Sequence, residues 1–181
     1  LWKYANGIDE SVVNTKREDL KGVGNSTTLP KDLDNIVEIN RILLRLSEKV
    51  SGRLREGKQK AKTVAVEIKY NDFTKCSKQI TVDIATDSGT EIYNISKNLF
   101  KGLWSGRPVR LLGVRTANLI EEDEPEQLTF MDIDSWNKEE NNISREKMKK
   151  LDKALDLINA KYGSGAVKRA SLLNENRTKN K

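Results

Sequence analysis

The sequence predicts an α+β fold, namely a ferredoxin-like βαββαβ unit with a four-stranded antiparallel sheet, two helices on one face and a C-terminal helical tail. The prediction depends on apolar spacing. Between residues 21 and 119, segments with apolar residues at every second position alternate with segments in which they recur every three or four positions. Their order is strand, helix, strand, strand, helix, strand. Because two helices cover only one face of such a sheet, we expect the other face to be bare.

The first strand and the first helix are predicted from glycine content and apolar periodicity. Residues 21–30 contain two glycines and three hydroxyl side chains, a composition typical of an edge strand, and Pro30 is expected to end it. The following apolar residues predict a helix over about 33–56, capped by Asp32 or Asp34. Its predicted inward residues are Ile36, Ile39, Leu43, Leu46, Val50 and Leu54.

A hairpin, a second helix and a last strand complete the unit. The hairpin turns at Asn71-Asp72, the second helix covers about 90–104, and the last strand covers 109–119 with Arg115 pointing outward. The predicted inward residues are Val64, Val66, Ile68 and Tyr70, then Ile80, Val82 and Ile84, then Ile92, Ile95, Leu99 and Leu103, and finally Leu112 and Val114.

Three further segments flank this unit, which we place at residues 21–120. Residues 1–20 are predicted to be the end of a helix, stopped near Asn6-Gly7, and a linker. Residues 121–143 form an acidic linker, and residues 144–181 form a third helix with a polar tail. The sequence begins with leucine, and we expect it to be a fragment of a longer protein. The apolar stripe of the third helix is Met148, Leu151, Leu155, Ile158 and Tyr162, and the helix ends at Gly163.

The net charge of +6 conceals three segments of different charge. Residues 1–120 carry +7, residues 121–143 carry −8, and residues 144–181 carry +7. A basic body can bind phosphate groups with release of counterions, whereas the acidic linker is repelled by them. The alternative is that the basic residues only solvate the surface.

Several classes of function find no support in the sequence. Without histidine there is no imidazole for a catalytic triad, and a single cysteine adds no zinc site. Gly22-x-Gly24 lacks the strand–glycine–helix context of a phosphate loop, and Asp132-x-Asp134 lies where no rigid scaffold supports a metal. No apolar run approaches the ~20 residues that span a bilayer, and the lone Cys76 fits a reducing compartment. We therefore expect a cytoplasmic monomer that has neither metal nor cofactor in this segment and does not contact membranes.

The bare face of the sheet is the strongest candidate site. Its cations, glycine and hydroxyl groups suit contact with phosphate oxygens, and an ordinary solvated face is the alternative. Tyr70 falls on the inward side, so the strands lack the stacking aromatics of a single-strand or RNA-binding sheet. We therefore expect this face to hold a duplex by its backbone. The candidate DNA-binding residues are Lys21, Gly24, Ser26, Thr27, Thr28, Lys69, Lys75, Lys78, Arg110 and Arg115.

A short motif in the acidic linker is a candidate for binding a second protein. A glutamine is followed there by spaced apolar residues that a charged linker cannot bury by itself. The alternative is that these apolar residues cover the hydrophobic surface of the body. The motif consists of Gln127, Leu128, Thr129, Phe130 and Met131.

Read in order, several segments resemble the C-terminal part of a Y-family DNA polymerase of the DNA polymerase IV type. The resemblance covers the end of the thumb, the little finger domain and a tail found in some bacterial members. The motif at 127–131 is similar to the one that docks such enzymes on the sliding clamp, with Phe130-Met131 where many members carry Leu-Phe. The matching segments are LWKYANGID at 1–9, KGVGNSTT at 21–28, KYNDF at 69–73, RLLGVR at 110–115, QLTFM at 127–131, KYG at 161–163 and RAS at 169–171.

The resemblance implies a little finger that grips primer–template DNA by its backbone from the major-groove side. It also implies a parent enzyme, a translesion DNA-directed DNA polymerase and hence a nucleotidyltransferase, that acts in DNA repair and damage bypass. The palm of that parent, with the carboxylates that hold Mg, is expected to be missing. The fragment should therefore bind DNA and the sliding clamp (beta clamp) without polymerising. The competing hypothesis is a protein-interaction or regulatory module that never binds nucleic acid.

Overall fold

The computed structural model of this chain describes residues 1–9, 20–122, 124, 139–163, 165–167 and 169–175. Helices and strands follow one another in the predicted order, which confirms the βαββαβ unit and the C-terminal helix. The elements are α1 (Trp2–Ala5), β1 (Gly22–Leu33), α2 (Ile36–Glu56), β2 (Gln59–Tyr70), β3 (Lys75–Thr86), α3 (Gly89–Leu103), β4 (Val109–Glu121), α4 (Glu139–Tyr162) and a short 3-10 helix (Ala170–Glu175).

The four strands form one antiparallel sheet in the order β1-β4-β2-β3. The β1-to-β2 connection through α2 therefore passes over β4, and the β3-to-β4 connection through α3 passes over β2. Both helices contact the sheet and each other. The predicted antiparallel sheet with two helices on one face is confirmed, with β4 and β2 as its central strands.

The core lies between this helix pair and the sheet. The residues predicted to point inward from α2, β2 and β4 are buried there, except Ile36, which packs against the core from its edge. Phe100 in α3 is also fully buried and stacks on Trp104 at 5.5 Å between ring centroids, although its position did not predict burial. Ile80 pairs with Val64 on the helix side but stays 49% exposed, because β3 is an edge strand that the helices cover incompletely.

Two predictions about the region between β1 and α2 are wrong. Pro30 does not end the strand, because β1 continues to Leu33. The register with β4 shifts between Thr28 and Leu33, and an edge strand tolerates proline at such an irregularity because no ladder bond is lost there. The cap of α2 is Asn35, whose side-chain oxygen accepts a hydrogen bond from the backbone N–H of Val37 at 2.8 Å.

Helix α4 docks on the helix layer through a partly buried arginine in α2. The Arg55 side chain is 14% exposed and donates two hydrogen bonds to Asp156, at 2.5 Å and 3.0 Å. It also lies 3.7 Å from the buried Asp152 and donates to the Ser51 hydroxyl and the Asp87 carbonyl. Burial raises the pKa of Asp152, so its charge depends on the neighbouring guanidinium. These contacts place α4 beside the C-terminal end of α2, in the helix layer.

The apolar stripe predicted for the last helix lies only partly on its docked side, where Met148 and Leu155 are half-buried. Leu151 is 50% exposed and Tyr162 is 68% exposed, whereas Asp152 between them is buried. The docked side also presents the carboxylates of Asp152 and Asp156 to Arg55, which gives its partly buried guanidinium charged partners. The helix begins at Glu139, five residues before the predicted start, and ends as predicted at Gly163.

Replacement of Arg55 by alanine is expected to release α4 while the sheet stays folded. The substitution removes the two hydrogen bonds to Asp156 and the cation at 3.7 Å from the buried Asp152, which should weaken docking by about 3 kcal/mol. Hydrogen exchange followed by mass spectrometry should show faster exchange in α4 and unchanged exchange in β2 and β4. Lys153→Ala is the control, because its exposed pair with Glu122 is worth less than about 1 kcal/mol. Equal exchange of α4 in the two variants would contradict this account of docking.

Candidate nucleic-acid interface

Helices α2 and α3 cover one side of the sheet, and strand register identifies the residues of the other side. Opposite residues in antiparallel strands share a side, and neighbours along a strand alternate. Val66 is buried and pairs with Val114, so Ala65 and its partner Arg115 lie on the side away from the helices. We call that side the open face. Its residues are Gly22, Gly24, Ser26 and Thr28 on β1, Leu111, Gly113, Arg115 and Ala117 on β4, Thr63, Ala65, Glu67 and Lys69 on β2, and Lys75, Ser77, Gln79 and Thr81 on β3.

Small residues make the open face shallow along β1 and β4. A Cβ added to Gly22 would collide with the carbonyl oxygen of Thr116, so only glycine allows the strands to approach there. A Cβ added to Gly24 would lie 3.3 Å from the Cβ and Cγ of Arg115, whose stem passes beside this glycine. Ser26 and Thr28 are exposed. A second backbone, such as a sugar–phosphate chain, can therefore come close to the main chain of β1.

The open face carries a positive net charge. Three of its residues are cationic and one, Glu67, is anionic. The Lys75 ammonium lies 3.9 Å from the Glu67 carboxylate, and both side chains are well exposed to solvent. Arg115 is exposed, while Lys69 is half-buried on the central strand β2. We call the small residues of β1 and β4 the trough, namely Gly22, Gly24, Ser26, Gly113 and Ala117. Arg115 lies among them, and Lys69 and Lys75 lie together at the hairpin end of the open face, so cations line the path of an anionic chain.

Most of the residues predicted to bind DNA lie on the open face or at its ends. Lys21 is exposed and directly precedes β1, and Arg110 lies near the start of β4, where the register with β2 shifts between Lys69 and Tyr70. The residues on the open face itself are Gly24, Ser26, Thr28, Lys69, Lys75 and Arg115.

Two of the predicted residues lie on the helix side instead. Lys78 pairs with Val66 in the core-facing register, and its ammonium would be 3.2 Å from a Cβ added to Gly102 in α3. Thr27 pairs with the fully buried Leu112. Both were assigned from sequence position near a strand without its register, and a slip of one residue changes the face. Neither residue contributes to the open face.

Arg110 is held by Asp32, one of the two residues predicted as alternative caps of α2. Its Nε donates to Asp32 Oδ1 at 3.0 Å, and Nη2 donates to Oδ2 at 3.1 Å. This two-point contact joins the ends of β1 and β4. The hydrogen bond from Arg110 holds the pKa of the Asp32 carboxyl below its ordinary value of 3.8. Asp32 therefore stays ionised at neutral pH and offsets part of the Arg110 charge.

The hairpin between β2 and β3 adds an aromatic residue, Phe73, that is not among the predicted DNA-binding residues. Phe73 is 59% exposed, with the Lys69 ammonium 4.6 Å and the Arg110 guanidinium 4.9 Å from its ring centroid. Arg107 lies 4.0 Å from the centre of the Tyr70 ring in the same region. The sequence contained a signal for an exposed ring at this place, because Phe73 directly follows the predicted turn and Lys69 lies on the strand before it. This end of the open face combines cations with an exposed ring.

The described residues form neither a metal site nor a membrane-spanning helix. Within them, no three His, Cys, Asp or Glu side chains come together to hold a metal ion. No helix of the described ranges is long and apolar enough to cross a bilayer. The candidate protein-binding motif at 127–131 lies outside the described residues.

The Asp32–Arg110 pair predicts a measurable titration. Because the folded pKa of Asp32 is depressed, the pair's contribution to stability is present above pH of about 3.8 and is lost as pH falls through the folded value. An NMR titration of the Asp32 carboxyl carbon should give a midpoint below 3.8, and Arg110→Ala should move it upward. Arg107→Ala is the control, since that arginine binds Asp72 instead. An unchanged Asp32 midpoint in Arg110→Ala would show that another group sets the shift.

A family model and curated proteins of similar sequence indicate the same family for this chain. Residues 20–130 match the model of the impB/mucB/samB family C-terminal domain. DNA polymerase IV of Alkaliphilus oremlandii is 35% identical over 175 residues, covering 96% of this chain and 44% of that protein. DNA polymerase IV of Clostridium acetobutylicum is 34% identical over 173 residues, covering 96% of this chain and 41% of that protein. The chain thus spans less than half the length of these relatives.

Solved structures support the same fold. A Y-family DNA polymerase chimera superposes with a TM-score of 0.52 at 20% identity, covering 66% of this chain and 34% of that chain. The insertion ternary complex of Dbh DNA polymerase gives a TM-score of 0.50 at 20% identity with the same coverage. The resemblance drawn from the sequence is confirmed by the family match and the relatives. The chain belongs to the impB/mucB/samB family, and residues 20–130 carry its C-terminal domain.

Proposed function

We propose that the open face grips primer–template DNA through its sugar–phosphate backbone, as the little finger of a translesion DNA-directed DNA polymerase. The observation that carries the proposal is the trough of small residues on β1 and β4, with Arg115 among them and Lys69 and Lys75 at the hairpin end. Backbone amides, hydroxyls and cations contact phosphate oxygens without reading bases. The whole protein's activity, nucleotide transfer during DNA repair and damage bypass, is proposed from the relatives named DNA polymerase IV.

Binding through phosphates has a defined signature. Neutralised phosphates release counterions, so the affinity falls steeply as salt rises and depends little on sequence. The small residues favour this mode, because they let a phosphate chain approach the main chain but offer few groups for reading base edges. A protein-interaction module without DNA affinity is the competing function. Family membership favours the DNA-gripping function, and the two are separated by a binding titration.

Arg115→Ala is expected to weaken duplex binding several-fold, by a similar factor for unrelated sequences. The reason is the loss of one phosphate contact, which should also lower the slope of log affinity against log salt by about one. Fluorescence anisotropy with labelled blunt duplexes at several salt concentrations measures both quantities. Because Arg115 is exposed, the variant should keep the wild-type melting temperature within a few degrees.

The matched control is Lys101→Ala, which removes an exposed cation from α3 on the helix side. It should leave the affinity and the salt slope close to wild type. If the two variants weaken binding equally, only net charge matters and the open face is not the interface. A wild-type chain that binds no duplex at low salt would favour the protein-interaction module.

We also propose that residues 127–131 dock on the sliding clamp. The support is the resemblance of the QLTFM segment to clamp-binding motifs and its place in an acidic stretch that DNA repels. Apolar anchors in a peptide of this kind fit a hydrophobic groove on a partner. A clamp site outside the DNA-gripping domain would allow both partners to bind together.

Gln127→Ala combined with Leu128→Ala is expected to abolish clamp binding and leave duplex affinity unchanged. The physical reason is that two anchors of a short peptide supply most of its binding energy. Surface plasmon resonance with immobilised clamp measures the loss. Glu124→Ala with Glu126→Ala serves as the control, since it alters the same acidic stretch but keeps the motif. Retained clamp binding in the double variant of Gln127 and Leu128 would remove this role.

A further inference from the structure

We propose that Phe73 is a stacking platform for an unpaired base of the DNA held on the open face. The proposal rests on the proposed DNA-gripping function and assigns a separate task to one residue at the end of that surface. The Phe73 ring lies 4.6 Å from the ammonium of Lys69, which belongs to the open face. A DNA strand that leaves the open face at this end therefore passes the Phe73 ring.

The turn holds Phe73 outward instead of letting it fold into the core. Phe73 has φ +67°, a left-handed conformation that is unusual for a bulky side chain. Its N–H donates to the Tyr70 carbonyl at 3.0 Å, and the Tyr70 N–H donates to the Thr74 carbonyl at 2.9 Å. Such strained backbone persists only where the surrounding contacts fix it, and it is common at binding sites.

A second set of contacts fixes the base of the same turn. Asp72 Oδ1 accepts from the backbone N–H and the hydroxyl of Thr74, at 3.0 Å and 2.6 Å, and these bonds lower the pKa of the Asp72 carboxyl. Arg107 donates to Asp72 Oδ2 at 2.8 Å and lies over the Tyr70 ring. The 59% exposed ring is thus presented by a turn that is already ordered. A preformed platform avoids the entropy cost of ordering a loop on binding.

The two cations beside the ring have different freedom to move. Arg110 is tied to Asp32 by two hydrogen bonds and stays beside the ring. Lys69 is an ammonium on a flexible four-carbon stem, so it can turn from the ring to a phosphate. An exposed cation–ring contact is worth only a factor of about two to five in binding, whereas a stacked base contributes about five- to a hundredfold. A base can therefore replace Lys69 over Phe73 with a net gain.

Unpaired bases are the fitting ligand because a paired base inside a duplex has both faces covered by its neighbours. Stacking on an aromatic ring is tolerant of sequence, since every base offers a flat face. The sheet strands themselves present no aromatic residue to the open face, so Phe73 adds a function that the trough lacks. The chain should accordingly prefer a duplex with a single-stranded template extension over a blunt duplex of the same sequence.

The test compares wild type, Phe73→Ala and Phe73→Tyr on a blunt duplex and on the same duplex with a 5′ single-stranded extension. Anisotropy should show that Phe73→Ala loses about five- to a hundredfold on the extended DNA and less than about twofold on the blunt DNA. Phe73→Tyr keeps a ring and should keep the preference. Melting temperatures should agree among the three, because the ring is mostly exposed. With 5-iododeoxyuridine in the extension, photocrosslinking should label the peptide that contains Phe73.

The failures of this proposal and of DNA gripping are distinguishable. If Phe73→Ala binds both DNAs as wild type does, stacking is wrong while the grip on duplex stands. If Phe73→Ala weakens blunt and extended DNA by the same factor, the ring supports the duplex contact and the base-stacking role is overturned. If wild type binds neither DNA, the DNA-gripping function fails and the stacking role fails with it.

Discussion

The packing of α2 and α3 on the same side of the sheet is the constraint from which the functional surface follows. Because Val66 and Val114 are buried in the core, the alternation of side chains along each strand places Ala65 and Arg115 on the opposite side. Burial on one face therefore determines what the other face displays. The open face needs no separate folding signal, because the hydrophobic effect that builds the core also orients its cations and glycines.

Charge is distributed differently on the two layers of the domain. On the helix layer, Arg55 is paired with Asp156 of α4, and Glu48 of α2 is paired with Arg169 at 2.7 Å. Those pairs fasten the C-terminal segments to the side away from the open face. On the open face itself, Glu67 is the one carboxylate among the residues defined above. The C-terminal helix and the bare sheet can thus serve different partners without competing for the same surface.

The sequence predicted the elements and the inward residues of α2, β2 and β4 well, because apolar spacing reports burial directly. Edge features were predicted poorly. Pro30 was predicted to end the first strand, but β1 is an edge strand and continues past it. Lys78 was predicted to bind DNA, but its register with Val66 puts it on the helix side. Asp32 was a plausible cap, and only the fold brings Arg110 beside it. Long-range pairs, strand order and the conformation of Phe73 depend on contacts that no local pattern encodes.

The most direct test of the account is an NMR titration of the ¹⁵N-labelled chain with a short blunt DNA duplex. Shift changes should concentrate on open-face residues of β1 and β4, including Gly24, Gly113 and Arg115, and should fade as salt is raised. Amides on the outer surfaces of α2 and α3 should move little. Changes centred on those helices, with the open face unaffected, would contradict the claim that the bare side of the sheet holds DNA.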